Sequence, residues 1–160
     1  MSIGVLFVCL GNICRSPTAH GVFLEQVRRN GLQSRIRVDS AGTGDWHIGH
    51  SPDKRSAASA LRRGYDLSAL RARQVVREDF AQFDYILAMD RENLRNLQRL
   101  CPANFGGELQ LFMQYGDHPE YSEVPDPYYG GDDDFERVVD LVENAAEGLL
   151  RHIVQQHRLD

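Results

Sequence analysis

The chain is short of cysteine, with three in 160 residues, an odd number that does not suit a secreted disulfide scaffold. Two of the three, Cys9 and Cys14, fall within one short loop, which points to a reducing cytoplasm and to reactive thiols. No apolar run approaches the length of a membrane span. The opening Met1-Ser2-Ile3-Gly4 has no basic region, and Ile3 to Leu10 is too short and too β-branched for a signal peptide, so neither membrane nor export is expected. Excess positive charge is missing as well. The formal net charge is −5, which argues against nucleic acid as a partner. The six histidines are scattered without metal-ligand spacing, so no metal or other cofactor is expected. Repeats, linkers and low-complexity segments are absent. The 42% hydrophobic and 26% charged residues are those of an ordinary globular protein, and residues 1–160 read as one domain.

What the chain does have is a concentrated motif. Ile3 to Cys9 is a continuous apolar run, the pattern of a buried parallel strand. Cys9-Leu10-Gly11-Asn12-Ile13-Cys14-Arg15-Ser16 follows, and then Pro17 opens a helical pattern through Ala19, Val22, Phe23 and Val27. A Cys and an Arg separated by five residues, between a strand and a helix, make a phosphate trap with a nucleophile at its floor. Backbone N–H groups of Leu10 to Arg15 can curl around an anion, and the helix dipole favours negative charge at the same point. Arg15 brings a planar fork suited to two phosphate oxygens, and this positive surround favours the Cys9 thiolate. Gly11 permits a tight turn, and Asn12 tolerates a left-handed backbone. Ser16 suits the N-cap and Pro17 the first helical position, although the Ser16 hydroxyl can instead face the Cys9 sulfur. The plain alternative is a buried strand ending in a small Cys before a capped helix.

Further strands are expected at Ile36 to Asp39, Asp84 to Met89 and Leu109 to Tyr115. Helices are expected at Asp53 to Arg63, Arg91 to Leu100 and along the stripe Phe135, Val138, Val139, Val142, Ala146, Leu149, Leu150 and Ile153, opened by an Asp133/Glu136 capping box. Gly42, Gly44 and Gly49 mark Ser40 to Pro52 as a loop. The alternation predicts an α/β three-layer sandwich, a four-stranded parallel sheet with helices on both faces and the phosphate-binding loop after the first strand. Ligands of such sheets sit beyond the strands' carboxyl ends, where Cys9, Ser40, Asp90 and the loop carrying Asp126 all follow strands.

Asp126 lies between Pro125 and Pro127. From its surroundings it is equally a turn former and a carboxylic acid placed to protonate a leaving group. Trp46, the only tryptophan, stands in a glycine-rich loop, and Tyr128 and Tyr129 follow Asp126. Such aromatics either pack the rim or wall a deep cleft selecting phosphotyrosine over shorter phosphoserine. The other acidic residues around Asp126 read as a solvated loop.

Val8 to Pro17, VCLGNICRSP, resembles the signature of the low-molecular-weight protein tyrosine phosphatases. The likeness continues in family order through Asp39-Ser40-Ala41-Gly42, Asp45-Trp46, Ser51-Pro52-Asp53, Ala72-Arg73-Gln74, Phe83 to Asp90 and Asp126-Pro127-Tyr128-Tyr129-Gly130. The resemblance implies a metal-independent protein-tyrosine phosphatase acting through a cysteinyl-phosphate. Cys9 would be the nucleophile, Arg15 the phosphate clamp and Asp126 the general acid and base. Leu10, Gly11, Asn12, Ile13, Cys14 and Ser16 would cradle the phosphate, while Trp46, Tyr128 and Tyr129 line the pocket. Asp90 would orient Arg15, with helix capping as its other possible role. Asn12, Ser16 and Ser40 would form one hydrogen-bond network. Phosphotyrosine proteins are the implied substrates, a bacterial tyrosine kinase among the candidates, with a monomer or weak dimer expected.

Two further positions stand out, the first a departure from the family pattern. Leu70 replaces a family histidine that supports the loop asparagine, so Asn12 needs another partner and a looser loop is expected. Ile13 is larger than the polar residue typical of phosphoarginine-specific relatives, which favours phosphotyrosine. Rival readings are phosphoarginine hydrolysis, arsenate reduction and phosphotyrosine binding without catalysis. Arsenate reduction needs further cysteines, and Cys101 alone stands outside the loop. A bare binder needs neither thiolate nor acid. Cys14 is either a small buried residue or the partner in a reversible disulfide that shields Cys9.

Overall fold

A computed structural model describes residues 2–159. Its elements alternate as expected: β1 (Ile3–Cys9), α1 (Arg15–Arg29), β2 (Ile36–Gly42), α2 (Lys54–Leu61), a short α3 (Asp79–Gln82), β3 (Tyr85–Ala88), α4 (Arg91–Leu100), β4 (Glu108–Leu111) and α5 (Asp132–His157). Among the described residues these form one four-stranded sheet, ordered β2-β1-β3-β4, with every pairing parallel. This is the α/β sandwich anticipated from the alternation of patterns.

The pleat of β1 explains its unbroken hydrophobicity. Val5, Phe7 and Cys9 point into one core, Leu6 and Val8 into the other. On the first side Phe7 packs edge-on against Phe23 of α1 and Phe112, with ring centroids 5.6 and 5.0 Å apart, beneath the apolar stripe of α5. On the second side Leu6, Val8, Ala41 and Ile86 meet Phe80 of α3 and Leu97 of α4. Both faces are therefore covered, as a parallel sheet requires.

Several boundaries moved for identifiable reasons. β2 runs on to Gly42, because Gly42 bridges Gln74 and exchanges backbone bonds with Arg73 and Val75. β4 stops at Leu111, and Phe112–Tyr115 winds into a 3-10 turn that drops Phe112 into the core rather than continuing the strand. The end of α2 is shorter than its pattern. Asp53 is its N-cap, accepting from the Arg55 N–H at 2.8 Å. Short α3 has no periodic signature in the sequence. The capping box of α5 also differs. Asp134, not Glu136, reaches back to its N-cap, accepting the Gly131 N–H at 2.9 Å. Glu136 instead joins Arg62 and Arg63 in a cluster with Asp140 and Glu143 that fastens the end of α2 to α5.

Candidate active site

The loop after β1 curls around the Cys9 sulfur. The Asn12 N–H donates to Sγ at 3.2 Å, and the Ser16 hydroxyl lies 3.0 Å from it. Cys9 is 3% exposed at the pocket floor. Ser16 is thus not the N-cap. Cys14 holds that position without a side-chain cap, and Ser16 sits inside the first turn with its hydroxyl turned to the sulfur. Asn12 takes the left-handed backbone, φ 57°. Gly11 also makes room for a neighbouring side chain. A Cβ there would lie 2.9 Å from the His47 ring, so glycine lets His47 lean over the loop. At Gly42 the constraint is backbone, since a Cβ would stand 2.7 Å from the Leu10 carbonyl oxygen.

Arg15 is almost wholly buried, its guanidinium aimed by partners far along the chain. Nη1 donates to Asp90 Oδ2 at 2.7 Å and to the Val124 carbonyl at 3.0 Å, while Nη2 faces Asp126 Oδ2 at 3.8 Å. Burial alone would lower its pKa, but the Cys9 charge, Asp90 and Asp126 outweigh burial and raise it, so Arg15 stays cationic. Asp90 fills both roles open to it. One oxygen orients Arg15 and the other caps α4, accepting the Asn93 N–H at 2.8 Å.

The support network is redistributed relative to expectation. Asn12 Nδ2 donates to Ser16 Oγ at 2.8 Å, and Asn12 Oδ1 accepts the Arg73 backbone N–H at 3.0 Å. That amide supplies Asn12 with the partner Leu70 cannot be, and Leu70 packs against the core instead. The Arg73 backbone is held by its own side chain, whose guanidinium reaches Asp39 and Asp79 at 3.1 and 3.0 Å. Ser40 does not join Asn12 and Ser16. Its hydroxyl lies 3.0 Å from His20 Nδ1, a buried imidazole whose pKa burial lowers.

The pocket has a volume of about 330 Å3 and is walled by Trp46, His47 and Tyr128, with Ile13, Cys14 and Asp126 also lining it. Asp126 lies at the rim, its Oδ1 accepting the Tyr128 N–H at 3.1 Å. Tyr128 meets the Arg55 guanidinium 5.5 Å from its ring centroid and stands edge-on to Tyr129. Tyr129 is 97% exposed, at the mouth rather than the wall of the cleft. Burial pushes the Cys14 thiol up to about 12, with a Ser56 hydrogen bond opposing, so Cys14 is neutral at physiological pH. His47 was missed from the sequence, where a histidine in a glycine-rich loop carries no signal of which way it leans. Arg55, Val124 and the Arg73 amide were missed because their parts depend on tertiary contact.

A cysteine-arginine loop at the carboxyl edge of a small parallel sheet, with a rim aspartate and aromatic walls, defines a cysteine-dependent phosphatase scaffold. The family model for low molecular weight phosphotyrosine protein phosphatase matches residues 4–159. The low molecular weight protein-tyrosine-phosphatase YfkJ of Bacillus subtilis is 40% identical over 157 residues, covering 98% of this chain and 99% of that one. The low molecular weight phosphotyrosine protein phosphatase of Homo sapiens is 46% identical over 140 residues, covering 84% and 85%. A crystal structure of a protein tyrosine phosphatase from Entamoeba histolytica superposes with a TM-score of 0.91 at 39% identity, over 98% of this chain and 99% of that chain. The chain belongs to the low molecular weight protein-tyrosine phosphatases, a family of enzymes.

Proposed function

We propose that this chain, as a single domain, hydrolyses phosphotyrosine with Cys9 as nucleophile, Arg15 as phosphate clamp and Asp126 as general acid and base. The supporting observation is the Cys9 sulfur, held at the pocket floor by the Asn12 amide and the Ser16 hydroxyl, with Arg15 reaching Asp126 across the same space. In this reading the thiolate attacks phosphorus in line. The P–O bond to the phenolic oxygen breaks, and Asp126 gives that oxygen its proton. Arg15 and the loop amides from Leu10 to Arg15 carry the charge of the equatorial oxygens, so no cofactor enters the scheme. Asp126 then takes a proton from water, whose oxygen attacks the phosphocysteine, releasing phosphate and restoring the thiolate.

The aromatic walls supply the depth for an aryl ester, and Ile13 at the pocket wall favours it over phosphoarginine. Phosphotyrosine proteins are the substrates, a tyrosine kinase among the candidates, and a monomer or weak dimer suffices because this chain's own residues make up the site. Free thiols at Cys9, Cys14 and Cys101 fit a cytoplasmic setting, and no helix among the described residues is long and apolar enough to cross a membrane. The test is p-nitrophenyl phosphate hydrolysis in EDTA. Turnover lost in Cys9→Ser and cut strongly in Asp126→Asn is expected. Absence of turnover in folded, reduced wild type would replace this reading with phosphate binding alone.

A further inference from the structure

Trp46 has two sides. One faces the catalytic pocket, and the other borders a second groove of about 500 Å3 that shares Leu10 and Trp46 with it. Leu10 and Val75 provide apolar surface in this groove, and Thr43 and Gly44 continue the Trp46 side. Trp46 is 67% exposed, and its ring lies over Gly44 so closely that a Cβ there would be 2.2 Å from the indole. It therefore acts as a partition between two compartments.

The opposite wall is a face of α4 carrying Glu92, Asn96 and Arg99. Glu92 and Arg99 are two helical turns apart, about 10 Å along the axis. Three extended residues of peptide cover about the same distance. Glu92 stands in the first turn of α4, two residues after Asp90, and so at the end nearer the Arg15 guanidinium. Arg99 stands at the far end, bonded to Asn96 of its own helix and to no carboxylate among the described residues. A negative group near the catalytic pocket and a positive one farther out give the groove a polarity.

The geometry points to this groove as the docking site for the substrate polypeptide that flanks the phosphotyrosine. The segment crosses the edge of Trp46 and lays an apolar side chain over Leu10 and Val75. A basic residue next to the phosphotyrosine meets Glu92, and an acidic one about three residues out meets Arg99. This rests on the phosphatase reading above and narrows its substrate class. The groove's continuity with the catalytic cleft through Leu10 and Trp46, its length and its charge order match such a segment.

The test compares p-nitrophenyl phosphate with phosphotyrosyl peptides of equal composition. One peptide pair carries Lys adjacent to the phosphotyrosine and Glu three residues out, running toward either terminus. The other pair has the two charges exchanged. Asn96→Trp fills the groove from the helix surface, and Glu92→Lys with Arg99→Glu inverts its polarity. The expected result is a preference of about fivefold in kcat/KM, carried by KM, for the matched peptide in one of the two directions. Asn96→Trp should cost peptides about tenfold and p-nitrophenyl phosphate less than twofold, and the charge inversion should reverse the preference. Peptide rates that track p-nitrophenyl phosphate in every variant would overturn the inference. So would a concentration-dependent dimer abolished by Asn96→Trp, since the groove would then be occupied by a second copy. Loss of p-nitrophenyl phosphate turnover in wild type would instead defeat the phosphatase reading itself.

Discussion

Asp90 couples stability to catalysis through two oxygens with separate duties, and substitution can divide them. Asparagine caps helices about as well as aspartate, so Asp90→Asn should keep the Asn93 contact and the start of α4. It removes the negative charge that aims Arg15, whose side chain is 4% exposed against 25% for Asp90. Removing one partner of a buried pair costs about 3–5 kcal/mol, but this pair is partly wet and Arg15 retains the Val124 carbonyl. A loss of about 1–2 kcal/mol is the better figure for Asp90→Asn. Asp90→Ala also loses the cap and should cost about 1 kcal/mol more, or about 2–4 °C in Tm for a domain of this size. A misaimed guanidinium weakens stabilisation of the equatorial oxygens, so kcat should fall by about 10- to 100-fold in both variants. Urea melts and steady-state kinetics with an aryl phosphate measure the two quantities on the same samples. Equal stability of Asp90→Asn and Asp90→Ala would refute the capping argument. Wild-type kcat in Asp90→Asn would refute the claim that its charge positions Arg15.

Gly44→Ala should push the indole off its seat and raise KM for aryl phosphates several-fold with little change in thermal stability, read by kinetics and Trp46 fluorescence. Gly42→Ala should lower kcat/KM by more than about tenfold, because the new methyl meets the Leu10 carbonyl and distorts the loop around Cys9; activity at the wild-type level would show that the loop can relax. At neutral pH iodoacetate should label Cys9 well ahead of Cys14, whose buried thiol is held protonated with a pKa of about 12; mass spectrometry of peptides would settle the order. Glu136 is held near pKa 2, first by a Ser59 hydrogen bond and then by Arg62 and Arg63, so it is depressed in the folded state. Its contribution is then complete above about pH 4.5 and fades as pH falls toward 2. The Tm gap between wild type and Glu136→Gln should be open at pH 7 and closed at pH 2; a gap that widens in acid would contradict that sign.

The order of strands and helices was legible because a parallel sheet buried on both faces writes itself as unbroken apolar runs, as in Ile3 to Cys9, and α5 as a sustained stripe. Positions where one residue answers to two demands were harder. Leu109 to Tyr115 has a strand's composition throughout, yet Phe112 turns inward once the chain passes the sheet edge. Ser16 has a cap's chemistry, yet the sulfur nearby claims its hydroxyl. The nucleophile motif could be read because its parts are contiguous. Its supports could not, because the Arg73 amide and the Val124 carbonyl are backbone groups whose side chains say nothing about where they point. Ser40 shows the converse. The residue type suited the network, but His20 on α1 lies closer to it than Asn12 does in hydrogen-bond terms.

The contacts of Arg15 carry a consequence for how the enzyme comes into being. Its two hydrogen-bond partners lie 75 and 109 residues further along the chain. The nucleophile leaves the ribosome early, yet nothing aims the clamp until the segment around Val124 has been synthesised and has docked. Contacts of such long range are slow to form. Recovery of activity on refolding should therefore lag the return of helical signal, and a chain truncated before Val124 would have a reactive thiol without the means to use it. The architecture withholds hydrolytic competence from partly made or partly folded molecules.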